Sequence, residues 1–397
     1  MKIKAICLIL TALVTVLSLV ACGKAGGSKN DTESDTKNAN PTYIDGGHTL
    51  YVRDENSGEH MTATFKKAGS DEVYEVDMEQ VGSGEGYTEF SCSADAAAYD
   101  RVVLSGDNSG AELAFNEYVD GWTLNQYHYM PYCHDSKSAE PQYERQQFDY
   151  DGRIKDVLIW TPEDYDASSK DKYAVIYMTD AQNLFKYDAT ATGSWAVAES
   201  ALAMAKKGGQ KCIIVGIENA DGWRDDELTP NIGEVLDPAF DDGHGKYFSD
   251  FVVDTVMPYI NEHYNVYTDR EHTHICGSSS GGIESFYIAM EHPDKFASVG
   301  ALSPAFLLFD DATWVKYLGE KDFSKNTPFI YLYCGNGASD SLEQSLYTGT
   351  VSMPDTLQKI GYPEDKVVLK LSENAIHNEM YWRAVFPDYL KYAFPQA

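Results

Sequence analysis

Two patterns of apolar spacing divide the chain. From Tyr43 to about Pro141 apolar and polar residues alternate in short runs: His48-Thr-Leu-Tyr-Val-Arg53, Met61-Thr-Ala-Thr-Phe65, Val73-Tyr-Glu-Val76, Tyr87-Thr-Glu-Phe90 and Arg101-Val-Val-Leu104. Gly- and Ser-rich turns separate them, as at 82–86 and 105–110. Short strands broken by regular turn signals predict a small β-sandwich over 43–141. From 142 to 397 the pattern changes. Near-continuous apolar runs (154–160, 173–178, 212–217, 273–276, 298–302, 329–333 and 367–371) alternate with segments of helical spacing (195–207, 247–264 and 283–292). Ser194 is placed to cap the first of these helices, and Pro258 to kink the second. Alternating β and α elements predict an α/β fold with a mostly parallel sheet covered on both faces by helices.

The N-terminus follows neither pattern. Lys2 and Lys4 precede an apolar stretch from Ala5 to Val20 that ends at Leu19-Val-Ala-Cys22. The stretch is short for a membrane span and reads as a secretory signal over 1–21. The small residues before Cys22 resemble the bacterial lipobox, in which the cysteine is lipidated. The alternative is an ordinary signal with a chance cysteine. Residues 22–42 are polar and form a flexible tether. The expectation is an extracellular protein held at the membrane face through acyl chains on Cys22, more than one being needed for stable anchoring.

Charge narrows the partners. The chain carries 62 acidic against 31 basic residues, a formal charge of −31. Such a surface repels nucleic acid and anionic headgroups and favours neutral or cationic ligands, besides giving solubility. Of the seven cysteines, Cys212, Cys276 and Cys334 lie in strand-like runs and read as buried thiols. Cys92 and Cys133 have the option of pairing in an oxidising compartment. None has zinc-site spacing, and neither a metal nor an organic cofactor is implied. Trp122, Tyr127, Tyr129 and Tyr132 crowd the end of the β-region, which loosely resembles small starch-binding modules. Two readings stand for them, stacking on sugar rings or packing against the second domain.

The chemistry centres on Gly277-Ser-Ser279-Ser-Gly281, between a strand and a helix. That is the setting of a nucleophile elbow: a tight turn with glycine on both sides exposes one serine at a helix N-terminus. Spacing selects Ser279 from three consecutive serines. After it, histidine occurs only at His292, at a helix end, and at His377, in a loop after the last strand. His377 is the expected base. The acid is expected after the strand 329–333, where Asp340 is the first choice and Glu343 the second. Asp340 also reads as a helix N-cap.

The segment from about Asp151 to Phe394 resembles the esterase D and enterochelin-esterase group of the α/β-hydrolase superfamily, which includes feruloyl and acetyl xylan esterases. The resemblance rests on Val175-Ile-Tyr-Met-Thr-Asp180-Ala-Gln-Asn183, Val215-Gly-Ile-Glu-Asn219, Arg224-Asp-Asp-Glu227-Leu-Thr-Pro230, the elbow, His292-Pro-Asp-Lys-Phe296, Leu302-Ser-Pro-Ala305 and His377-Asn-Glu379 with Trp382. It implies a Ser279 nucleophile, a His377 base, an acid in the 335–340 stretch and an oxyanion hole from the amides of Ser280 and Gln182. Asp180, Arg224 and Glu227 fall near the pocket, Arg224 and Glu227 having also the option of a structural ion pair. Ala181 stands where the group usually has Gly, and Ser280 where Met is frequent. The expected substrate is an ester, foremost a feruloyl or acetyl group on a saccharide. A siderophore ester, or an idle hydrolase domain on a glycan-binding lipoprotein, are the alternatives.

Overall fold

In a computed structural model, residues 47–395 are described, except 57, 108–109, 126–128, 135–140, 188 and 242. The expected signal, the Cys22 anchor, the tether and Tyr127 lie outside the described residues.

The N-terminal region is all β. Among the described residues nine strands, β1 (His48–Asp54), β2 (Met61–Lys66), β3 (Val73–Asp77), β4 (Glu79–Gly84), β5 (Tyr87–Ala94), β6 (Arg101–Gly106), β7 (Gly110–Ala114), β8 (Gly121–Leu124) and β9 (Tyr129–Tyr132), form two sheets. Their orders are β4-β5-β1-β8-β9 and β3-β2-β6-β7. Alternating positions such as Leu50 and Val52, or Ala63 and Phe65, face one shared core. Trp122 is fully buried in that core, and Tyr129 and Tyr132 are nearly so. These rings therefore pack inward and are not exposed platforms. Cys92 and Cys133 are both free and buried, and burial pushes each thiol up to about 12.

The second region is built on eight strands: β10 (Tyr143–Tyr150), β11 (Arg153–Trp160), β12 (Ala174–Thr179), β13 (Cys212–Ile217), β14 (Thr273–Ser278), β15 (Ser298–Leu302), β16 (Phe329–Gly335) and β17 (Val367–Ser372). The order is β10-β11-β13-β12-β14-β15-β16-β17. Strands β12 to β17 run parallel, while β10 and β11 pair antiparallel at one edge. Along β12, Val175 and Tyr177 join one apolar cluster, and Ala174, Ile176 and Met178 join another. The strand period of two thus feeds both faces, which is why the run reads as continuously apolar. This is the predicted α/β-hydrolase architecture behind an all-β region.

Among the described residues eight helices accompany the sheet: α1 (Val197–Lys206), α2 (Arg224–Glu227), α3 (Gly245–Phe251), α4 (Met257–His263), α5 (Ser280–Glu291), α6 (Asp311–Gly319), α7 (Ser341–Lys359) and α8 (Glu379–Ala393). Two details differ from expectation. The N-cap of α1 is Ala196, at φ 49°, and Ser194 instead accepts a hydrogen bond from the Ala196 amide at 3.2 Å. The long helix 247–264 is interrupted by a π-turn at Val252–Val256, immediately before Pro258 in the first turn of α4. Proline lacks the amide that would continue the α-helical ladder, and a π-turn absorbs the mismatch.

Candidate active site

Every candidate residue of the site follows the C-terminal end of a parallel strand, where open α/β sheets bind ligands. Ser279 joins β14 to α5 with φ 58° and ψ −129°, a conformation that costs an L-residue strain. The turn is held by hydrogen bonds from the Ser279 amide to the Leu302 carbonyl (3.0 Å) and from the Ala305 amide to the Ser279 carbonyl (3.2 Å). A Cβ at Gly277 would collide with the Gly281 carbonyl and the Thr179 hydroxyl, and one at Gly281 with Thr179 and the Asp180 carboxylate. Glycine is therefore required on both sides. The three serines are now distinct. Ser278 is buried, the Ser280 hydroxyl donates to Asp225 at 3.0 Å, and Ser279 alone sits half-buried at the strained turn.

His377 lies five residues beyond β17. Its Nδ1 is 2.8 Å from Oε2 of Glu343, a carboxylate with no solvent exposure. The other oxygen of Glu343 accepts from the Gly335 amide (2.6 Å) and the Ser303 hydroxyl (2.7 Å). The carboxylate on the histidine ring is thus Glu343, which corrects the first choice of Asp340. Asp340 caps α7, one oxygen accepting from the amides of Leu342 (3.0 Å) and Glu343 (3.1 Å). Its other oxygen accepts from the His377 backbone amide at 2.8 Å. Asp340 therefore holds the main chain of the histidine loop, and Glu343 holds the ring.

Ser303, at φ 43°, links the two halves of the site. Besides binding Glu343 it accepts from the Trp382 indole at 3.1 Å, and Trp382 stands edge-on to His377 at 4.9 Å between centroids. Its backbone lies between Leu302 and Ala305, the partners of Ser279. Among the described residues no side-chain hydrogen bond joins Ser279 to His377; contacts of this kind commonly tighten only with substrate bound.

Two amides are left unused by the bonds of their own elements. Ser280 opens α5, so its N–H has no intrahelical partner. Gln182 sits in the short 3₁₀ turn Ala181–Asn183 after β12, whose internal bonds use the amides of Asn183 and Leu184. The turn is fixed by Asp180, at φ 55°. Its buried carboxylate accepts from Asn219 Nδ2 (2.6 Å) and from Arg224 Nε (2.6 Å) and Nη2 (2.9 Å). Burial alone would raise this carboxyl, but the Arg224 charge and the hydrogen bonds outweigh it and hold it below the ordinary range. Asp180 and Arg224 are thus partners of each other under the Gln182 turn.

Glu227 is elsewhere. It pairs with buried Lys155 and accepts from the Ala220 amide at 3.0 Å, so the alternative of an Arg224–Glu227 ion pair is not realised. Its role is to pin the 218–227 loop to β11. The residues that sequence reasoning left without a role, Asn219 and Ser303, stood inside quoted stretches. Only their neighbours in space reveal what they hold. Among the described residues no group of His, Cys, Asp or Glu is placed to hold a metal ion.

A mostly parallel sheet, a strained serine turn at its C-terminal edge and a carboxylate–histidine pair two strands away define an α/β-hydrolase. The chain belongs to the esterase family, described as Putative esterase, whose match spans residues 152–393; it is a carboxylic ester hydrolase. Protein YbbA of Bacillus subtilis (strain 168) is 22% identical over 241 residues, covering 59% of this chain and 91% of YbbA. A ferulic acid esterase of Anaeromyces mucronatus shares 19% identity at a TM-score of 0.48, over 68% of this chain and 95% of that one. The enterobactin esterase of Shigella flexneri shares 12% identity at a TM-score of 0.51, over 87% of this chain and 92% of its own.

Proposed function

We propose that this esterase works through an acyl-enzyme on Ser279, removing feruloyl or acetyl groups from saccharides outside the cell. The observation that carries the serine mechanism is the combination of Ser279 at φ 58° on the β14–α5 turn with Glu343 on Nδ1 of His377. The Glu343 carboxylate accepts a hydrogen bond from the Nδ1–H of His377, which leaves Nε2 unprotonated to take the Ser279 proton as Oγ attacks the ester carbonyl. The amides of Ser280 and Gln182 receive the oxyanion, each worth about 3 kcal/mol of barrier. His377 then gives its proton to the leaving alcohol, and water, activated by the same base, cleaves the acyl-enzyme.

The saccharide assignment is supported by a strongly acidic chain, which disfavours anionic substrates, and by the secretion-type N-terminus. Turnover of feruloylated and acetylated oligosaccharides, compared with short aryl esters and a catecholate triester, tests it. The reading expects the saccharide esters to be preferred in kcat/KM. Preference for the catecholate triester overturns it. Anchoring at Cys22 belongs to the same reading: Cys22→Ala is expected to leave the detergent phase on partitioning, and an unchanged distribution removes the anchor.

A further inference from the structure

A cleft of about 440 Å³ lies between the β-region and the hydrolase domain, within the range of about 300–1,000 Å³ common for small-molecule sites. Arg101, Glu112 and Tyr129 line it from one side, and Tyr333, Lys370 and Tyr381 from the other. Ser279 and His377 are not among its walls, but Glu373, Asn374 and Ala375, which lead into His377, form part of its rim. We infer that this cleft is a second, non-catalytic binding site for a neutral saccharide, which grips the glycan on the far side of the His377 loop from Ser279.

The lining chemistry selects the ligand class. Both cations are already neutralised. Arg101 pairs with Glu112 at 3.0 Å and donates to the Leu371 carbonyl at 2.9 Å. Lys370 lies 3.3 Å from Asp100 and 3.5 Å from Asp388. An anionic ligand would meet compensated cations and additional carboxylates, Glu373 among them. An apolar ligand would have to desolvate these charges. A neutral polyhydroxylated ligand suits both: carboxylates accept its hydroxyls, and the half-buried Tyr381 ring offers an apolar face to its C–H surfaces. Tyr333 completes the wall: it is buried, with 1% of the residue exposed, and its hydroxyl has the Ser372 side chain as its neighbour.

The inference shares with the proposed function the idea of a saccharide substrate, and its test separates the two because binding is read without turnover. Full-length Ser279→Ala protein is titrated calorimetrically with xylohexaose, arabinohexaose, cellohexaose and maltohexaose, and with hexagalacturonate as an anionic control. The expected result is heat of binding for at least one neutral hexasaccharide. Its affinity should fall about tenfold or more when Tyr381→Ala or Glu112→Gln is added. The Glu112 side chain is 46% exposed, so its variant keeps the fold if Tyr381→Ala does not. In the active protein both variants should hydrolyse a small aryl ester at the normal rate and show a raised KM only on polymer-borne esters. The inference is overturned by no binding of any neutral probe, by tighter binding of hexagalacturonate, or by an affinity indifferent to both substitutions. Binding as expected without saccharide-ester turnover would leave this site standing and sink the substrate reading instead.

Discussion

At the scale of single residues, the partner of the His377 ring turns on which of two carboxylates three positions apart faces inward. Asp340-x-x-Glu343 fits a capping-box pattern, and from sequence either residue qualifies as cap or acid. The fold decides, because α7 packs so that Glu343 has no exposure while Asp340 stays at the helix mouth. Glu343→Gln is expected to lower kcat by about 10³–10⁴ with little change in melting temperature. Its amide oxygen can keep the Gly335 and Ser303 contacts while its NH₂ forces the wrong histidine tautomer. Asp340→Asn retains the capping oxygen and should cost far less. An active Glu343→Gln beside a stable, inactive Asp340→Asn would reverse the assignment. A second buried carboxyl was not legible at all. Glu284, on α5, has no exposure, and neither oxygen has a hydrogen-bond partner among the described residues. Burial raises its pKa well above the ordinary value, with Glu227 and Glu291 adding to the effect. The folded state therefore holds a proton that the unfolded state releases above about pH 4.3. Stability falls as pH rises from there to the raised pKa, by about tenfold in the unfolding equilibrium per pH unit. Glu284→Gln should accordingly raise the melting temperature at pH 7–8 and lose that advantage near pH 4. A gain independent of pH would show that Glu284 is ionised in the fold.

At the scale of elements, the strand runs were legible because buried parallel strands carry apolar residues on both faces, and Cys212–Ile217 appears with the bounds read from sequence. The breaks within helices were less so. The π-turn before Pro258 depends on how the chain resolves a missing donor, which no apolar period encodes. The elbow was readable from its glycines, yet the reason for them lies in β12, a distant segment. Gly281 abuts Thr179 and Asp180, so its turn and the Gln182 turn share one packing surface. Gly281→Ala must push Asp180 away and with it the Arg224 clamp and the Gln182 amide. A loss of about 10²-fold in kcat is expected, since displacements of about 1 Å in such sites cost that much. Near-normal activity with an unchanged melting temperature would mean that the two turns are not coupled.

At the scale of the whole molecule, two sequence patterns mark two regions, and the structure joins them closely. Ala384 of α8 lies in the core of the β-region. Buried Arg383 donates to the Tyr129 carbonyl at 2.6 Å and also to the carbonyls of Thr192 and Ser194. Asn116 donates to the Pro387 carbonyl at 3.0 Å, and Tyr118 to that of Phe394 at 2.5 Å. None of these contacts has a sequence signature, because each pairs a side chain with a backbone more than 180 residues away. A chain starting at residue 142 would expose the apolar face of α8 and leave Arg383 without one of its partners. It is expected to be insoluble or to melt far below the full protein, and a soluble, fully active fragment would contradict that. The central claim, that the molecule converges on one strained serine, is tested most directly by labelling the intact protein with a fluorophosphonate and mapping the adduct by mass spectrometry. The account predicts one adduct, on Ser279, appearing in step with loss of esterase activity and absent from Ser279→Ala. An adduct on Ser278 or Ser280, or esterase activity that survives in Ser279→Ala, would contradict it.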